Sequence, residues 1–128
     1  MLQGTKAFSG FSVQNLDEAE LFYGQILELD ARRTEMGLEL HLGEELVIFV
    51  YQKEDHTPAT FTILNFPVEN ITEAVRYLVD KGVEFIRYDN LPAPQDEYGV
   101  LRGKAANQGP DIAWFKDPSG NVLSVLEN

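Results

Sequence analysis

Two hydrophobic periods alternate along this chain. From Lys6 to Val13 the residues are apolar or small, Lys-Ala-Phe-Ser-Gly-Phe-Ser-Val, the length of a strand covered on both faces. Asn15-Leu16-Asp17-Glu18 then sets an N-cap residue three positions ahead of a glutamate, the capping-box pattern that starts a helix. Behind it Leu16, Ala19, Phe22, Tyr23, Ile26 and Leu27 recur at three- and four-residue spacing. Asp17, Glu18, Glu20 and Gln25 fall on the other side, so one stripe is predicted to face a sheet. Short strands follow at 31–35, 38–42 and 46–52, split by Met36-Gly37 and Gly43-Glu44-Glu45, and they predict a meander.

The polar stretch 53–59, Lys-Glu-Asp-His-Thr-Pro-Ala, reads as a linker, after which the same order returns. A strand is predicted over 60–68. Asn70-Ile71-Thr72-Glu73 caps a helix with Ile71, Ala74, Val75, Leu78 and Val79 on one face, and Gly82 ends it. Strands are predicted over 83–88 and 98–102, with a proline-containing loop at 89–95 between them. The chain closes on two apolar arms, Ile112 to Phe115 and Val122 to Leu126, around Asp117-Pro118-Ser119-Gly120-Asn121. Proline presets φ, glycine allows positive φ, and Asp and Asn bond their own backbone, so this is a hairpin turn.

The two halves match in sequence as well as in order. Phe11-x-Val13-x-Asn15-Leu16-x-Glu18-Ala19 recurs as Phe66-x-Val68-x-Asn70-Ile71-x-Glu73-Ala74, each pair 55 positions apart. That offset predicts an internal repeat of two βαβββ modules, about 1–52 and about 60–128, joined by the linker. The expected fold class is α+β.

Composition narrows the function. The 128 residues suit one compact domain with a real core, and 44% of them are hydrophobic. Ten Lys and Arg against 21 Asp and Glu give a net charge of −11, which repels a phosphate backbone, so no nucleic-acid partner is expected. There is no cysteine, which excludes disulfides, thiolate metal sites and cysteine nucleophiles. No apolar run approaches the roughly 20 residues of a membrane span, and the N-terminal residues lack the apolar block of a secretory signal. A cytoplasmic protein without a membrane partner is the expectation.

The paired βαβββ pattern, the aromatic-rich first helix (Leu21-Phe22-Tyr23-Gly24) and the closing Asp117-Pro118-x-Gly120-Asn121 turn resemble, over nearly the whole chain, the vicinal oxygen chelate superfamily. Its members include glyoxalases, bleomycin-resistance proteins and extradiol dioxygenases. The resemblance implies curved sheets forming a cleft between modules. In the enzymes that cleft holds a divalent metal on His, Gln and Glu side chains; in some drug-binding members it holds a planar or bulky ligand without metal. It also implies a homodimer, the commonest closed assembly. Carried over by motif, the four metal-ligand positions fall on Phe8 and Ile63 in the first strand of each module, and on Phe49 and Ser124 in the late strands. Catalytic metals of this kind need imidazole or carboxylate donors, and these four residues supply none.

Other chemistry-bearing residues leave alternatives open. His56 in the linker is either a hydrogen-bond donor or general base at the cleft mouth, or an exposed linker histidine. Glu39 and His41 share a strand face and form either a two-ligand metal site or an outward polar face. Asp96-Glu97 is either a carboxylate pair for acid–base work or a solvated loop. Trp114 and Phe115 point to opposite faces, one toward a ligand and one toward the core. Asn65 is expected on the face of Ile63, as a polar group among apolar walls. The resulting expectation is a small-molecule binding protein, using no metal or other cofactor, whose ligand is aromatic or apolar and meets Phe8, Phe49, His56, Ile63, Asn65, Trp114 and Ser124. The alternatives are a metal-dependent lyase or dioxygenase with unusual ligands, and a non-catalytic interaction domain whose cleft is filled by its own side chains.

Overall fold

A computed structural model describes residues 1–128 as two compact units, Met1–Pro58 and Ala59–Asn128. In the first, β1 (Ser9–Val13) leads to α1 (Leu16–Leu21) and then to β2 (Asp30–Arg33), β3 (Leu38–Leu42) and β4 (Leu46–Gln52). The strand order is β1-β4-β3-β2, with β1 parallel to β4 and the other pairs antiparallel. The second unit runs β5 (Thr62–Pro67), α2 (Ile71–Asp80), β6 (Leu101–Arg102), β7 (Asp111–Lys116) and β8 (Val122–Glu127). Its order, β5-β8-β7-β6, has the same form, again with the first and last strands parallel. The fold is α+β and built from two βαβββ modules.

Each helix starts as its capping pattern predicts. The Asn15 side chain accepts the Glu18 amide at 2.9 Å, and Asn70 accepts the Glu73 amide at 3.0 Å. A second N-terminal amide in each helix is bonded from the last strand of its own unit: Leu16 N donates to Gln52 Oε1 and Ile71 N to Glu127 Oε1, both at 2.9 Å. Helix ends leave such amides without partners inside the helix, so a side chain from the sheet fixes where each helix begins. The first helix is not uniform. After Leu21 it widens into a π-helical turn over Phe22–Ile26, which carries the fully buried Tyr23 against Phe11 and edge-on to Phe22.

Alternation sorts the sheets into two faces. Val13, Leu38, Leu40, Ile48 and Val50 are buried with Ala19 and Tyr23 in the first unit. In the second, Leu64, Ala113, Phe115, Leu123 and Val125 are buried with Ile71, Val75 and Leu78. These form one core per unit, between helix and sheet. The other face of each sheet carries no helix of its own unit.

Two predicted strands depart most from the prediction. Residues 83–88 make a single bridge, Phe85 to Phe115, rather than a strand. Instead the Gln95 side chain takes over their backbone groups: its Oε1 accepts the Tyr88 amide at 2.8 Å and its Nε2 donates to the Ile86 carbonyl at 2.9 Å. The strand predicted over 98–102 contracts to Leu101–Arg102, because the Asp96 carboxylate captures the Tyr98 and Val100 amides, both at 2.9 Å. In both places a side chain replaces a ladder partner.

Candidate functional site

On the helix-free face of the first sheet, Phe49 is the central residue. In register it lies between Gly10 on β1 and Glu39 on β3. Gly10 leaves the β1 side of the ring bare, and a Cβ there would stand 2.9 Å from the Phe49 carbonyl oxygen. Gly37 is required for a similar reason. A Cβ on it would lie 3.1 Å from the Phe49 ring and run into the Val50 carbonyl oxygen. Tyr51, two residues on, stacks its ring on Phe49 at 5.9 Å and 18°.

Around Phe49 opens a groove of about 730 Å³, walled by Phe8, Met36, Leu46 and Val47, with Lys6 and Glu39 among its polar groups. Phe8 is 71% exposed and Met36 80%, so the apolar wall is open to solvent within this unit. Both residues assigned here by motif, Phe8 and Phe49, therefore line one groove. Met36 and Leu46, which sequence reasoning missed, come from turn ends where no periodic spacing marks them. Tyr51 was findable, since it is two residues from Phe49 on the same strand face.

The rest of that face is polar. His41 Nε2 meets Glu39 Oε1 at 2.9 Å, and on the neighbouring strand Arg32 bonds Asp30 at 2.8 Å. The Arg32 guanidinium holds the Asp30 carboxyl below the usual carboxylate range. Glu39 and His41 share a face as expected, but nowhere do three His, Cys, Asp or Glu side chains converge as a metal-holding group. His56 is half-buried rather than free in the linker, and its Nδ1 shares a 2.7 Å hydrogen bond with the Ser12 hydroxyl. Ser12 pairs with Tyr51, so His56 is tied to the same sheet face as the groove.

In the second unit, the register sets Asn65 on β5, Ser124 on β8 and Trp114 on β7 in one row. Phe115 is fully buried and packs on Phe85 at 5.4 Å, on the core side. Trp114 therefore takes the helix-free face, where Tyr88 meets it edge-on at 5.3 Å and 86°. Ser124 is fully buried, and its hydroxyl donates to Asn65 Oδ1 at 2.6 Å. The β5–β8 register shifts between Thr62 and Leu64, so Ile63 sits in an irregularity and alternation from Asn65 does not carry across to it.

Asp96 is engaged structurally. Its two oxygens hold the Tyr98 and Val100 amides and the Arg102 guanidinium, which also reaches Asp111 at 3.3 Å and Thr72 at 2.7 Å. A carboxylate with these partners organises the loop. The closing turn is equally specific: Asp117 accepts the Ser119 and Asn121 amides, and the Asn121 side chain donates back to it at 2.9 Å.

The donor set at the four motif positions, two phenylalanines, an isoleucine and a serine, does not fit a divalent metal that requires imidazole or carboxylate ligands. No curated protein matches the chain in sequence. Solved structures match it over nearly full length. A glyoxalase family protein from Enterococcus faecalis has 23% identity and a TM-score of 0.63, covering 99% of this chain and 100% of its own. An antibiotic binding protein from a Streptomyces species has 18% identity and a TM-score of 0.62, with 98% of each chain covered. A genomically encoded fosfomycin resistance protein from Listeria monocytogenes has 13% identity and a TM-score of 0.68, covering 100% of this chain and 95% of its own. At these identities the likeness is one of fold. The family model carries the assignment further: it matches residues 9–125, and the chain belongs to the Glyoxalase/Bleomycin resistance protein/Dioxygenase superfamily.

Proposed function

We propose that this protein binds a small, planar apolar or aromatic organic molecule, without metal, on the helix-free faces of its sheets. The observation that carries this reading is the groove around Phe49, whose exposed apolar wall includes Phe8 and Met36. Water-exposed aromatic area of this kind is costly unless something covers it. Burying roughly 200 Å² of it against a ligand is worth about 5 kcal/mol, less the cost of immobilising the ligand. Asn65, Trp114 and Ser124 on the second sheet, with His56 and Ile63, are the proposed remaining contacts. That the fold also serves an antibiotic binding protein and a fosfomycin resistance protein is consistent with a small-molecule ligand.

Titration with Nile red, a neutral apolar dye, tests the groove. Wild type is expected to bind it saturably, and Phe49→Glu or the more exposed Phe8→Glu to weaken it at least tenfold with the far-UV circular dichroism unchanged. Exhaustive chelation should leave binding intact. A stoichiometric transition metal retained through purification, with binding lost when it is removed, would overturn the metal-free reading.

A further inference from the structure

In the second unit, one hydrogen bond decides what chemistry the open face offers. A primary amide has an acceptor end and a donor end. The buried Ser124 hydroxyl occupies Asn65 Oδ1 at 2.6 Å, while Asn65 itself is exposed. The end left wholly to a ligand is Nδ2, a pair of N–H donors, whereas Oδ1 has one of its two lone pairs occupied. Ser124 thus acts as a positioning residue: it fixes the amide with its donor side outward.

Two strands away stands a flat surface. Trp114 lies on the same face and in the same row, half-exposed, with Tyr88 packed edge-on against it. Adjacent strands are about 4.8 Å apart, so the β5 and β7 backbones are separated by roughly 10 Å, a span suited to a fused two-ring system. Apolar stacking area at one end and an oriented donor at the other is a recognition pattern with direction.

We infer that the Asn65–Ser124–Trp114 row recognises a planar ring system bearing a carbonyl-type acceptor (ketone, lactone or amide oxygen), with the ring on Trp114 and the oxygen on Asn65 Nδ2. This rests on the proposed binding function and adds the chemical class of the ligand. It disfavours ligands whose only polar group is a donor, because Ser124 already takes one of the two Oδ1 lone pairs whereas both Nδ2 hydrogens remain available.

Trp114 is the single tryptophan, so its fluorescence reports on this face. The probes are three bicyclic molecules of similar size: chromone with a carbonyl acceptor, 2-naphthol with a hydroxyl, and naphthalene with neither. Calorimetry and Trp114 quenching should rank chromone about fivefold to tenfold tighter than naphthalene, the worth of one net hydrogen bond. Asn65→Asp, which keeps the shape and replaces the donor by an acceptor, should erase that preference while naphthalene still binds. Ser124→Ala, which releases the amide, should reduce it about twofold to threefold. Equal binding of chromone and naphthalene to wild type, or a preference that survives both Asn65→Asp and Asn65→Ala, would overturn the assigned donor. A preference for 2-naphthol would mean that the amide presents its oxygen instead, and would also overturn it. Failure of all three probes to bind, with Nile red also unbound, would remove the binding function itself.

Discussion

In the first unit the open sheet face is an apolar groove around Phe49 with Phe8 and Met36 at its wall; in the second it is a row led by an oriented amide and one tryptophan. The framework beneath is the same: strand order, parallel first and last strands, an asparagine cap, and a sheet side chain on the first helical amide. The difference teaches that positions turned toward the helix fix the fold, whereas positions turned away from it are free to diverge in chemistry. Phe8 and Ile63 stand 55 positions apart, as do Gly10 and Asn65. Where the first module has a glycine that bares a ring, the second has a hydrogen-bonding side chain.

The largest effect expected from this comparison concerns the helix-facing cores. Tyr23 on the π-helical turn and Leu78 on α2 stand 55 positions apart, but Tyr23 is fully buried and in contact with two aromatic rings. Removing a large buried aromatic costs about 3–5 kcal/mol. Tyr23→Ala is expected to lose that much in urea unfolding, and hydrogen exchange should rise most in β1, β3 and β4. A loss below 1 kcal/mol would mean that the wide turn is not the keystone of the first core.

How much was legible in the sequence follows from which interactions are local. The strands 38–42 and 46–52 emerge as read, because alternation and turn residues suffice to define them. Both caps emerge because an Asn and the amide three residues later are neighbours in the chain. The segments 83–88 and 98–102 depart from the prediction because the side chains of Gln95 and Asp96 take several of their backbone groups, and no periodicity encodes such a contact. At the site, Phe8 and Phe49 could be placed in one groove by motif. The face taken by Trp114 required the register to Ser124 and Asn65, since alternation says only that Trp114 and Phe115 are opposed. The tie between His56 and Ser12, 44 residues apart, had no sequence signal at all.

A middle-sized effect would sharpen the framework claim. Asn15→Ala and Asn70→Ala each remove the side-chain acceptor of an N3 amide, a change worth about 1 kcal/mol. The two variants are expected to lose similar stability, within about 0.5 kcal/mol of each other, in denaturant titrations with unchanged slope. Strongly unequal losses would show that one cap is backed by its surroundings and that the two frames are less alike than their geometry indicates.

The smallest effect is also the most local, and it separates the modules by charge. The amide of Leu16 is bonded by Gln52, which does not titrate, whereas that of Ile71 is bonded by Glu127, which does. The Lys104 ammonium, and after it the Ile71 amide, hold the Glu127 carboxyl below its ordinary value of 4.5. Both interactions favour the ionised form. With the folded value below the unfolded one, the contribution of Glu127 is complete above about 4.5 and disappears as pH falls through the lower, folded value. The start of α2 is therefore expected to loosen in acid while the start of α1 keeps its anchor. In proton–nitrogen correlation spectra collected downward from pH 6, the Ile71 amide should shift with an inflection below 4.5, and the Leu16 amide should move much less. Glu127→Gln should flatten the Ile71 curve, and Gln52→Glu should give Leu16 an acid inflection of its own. If Ile71 stays flat in wild type, or if Glu127→Gln leaves its inflection in place, Glu127 is not the group that holds the amide in solution.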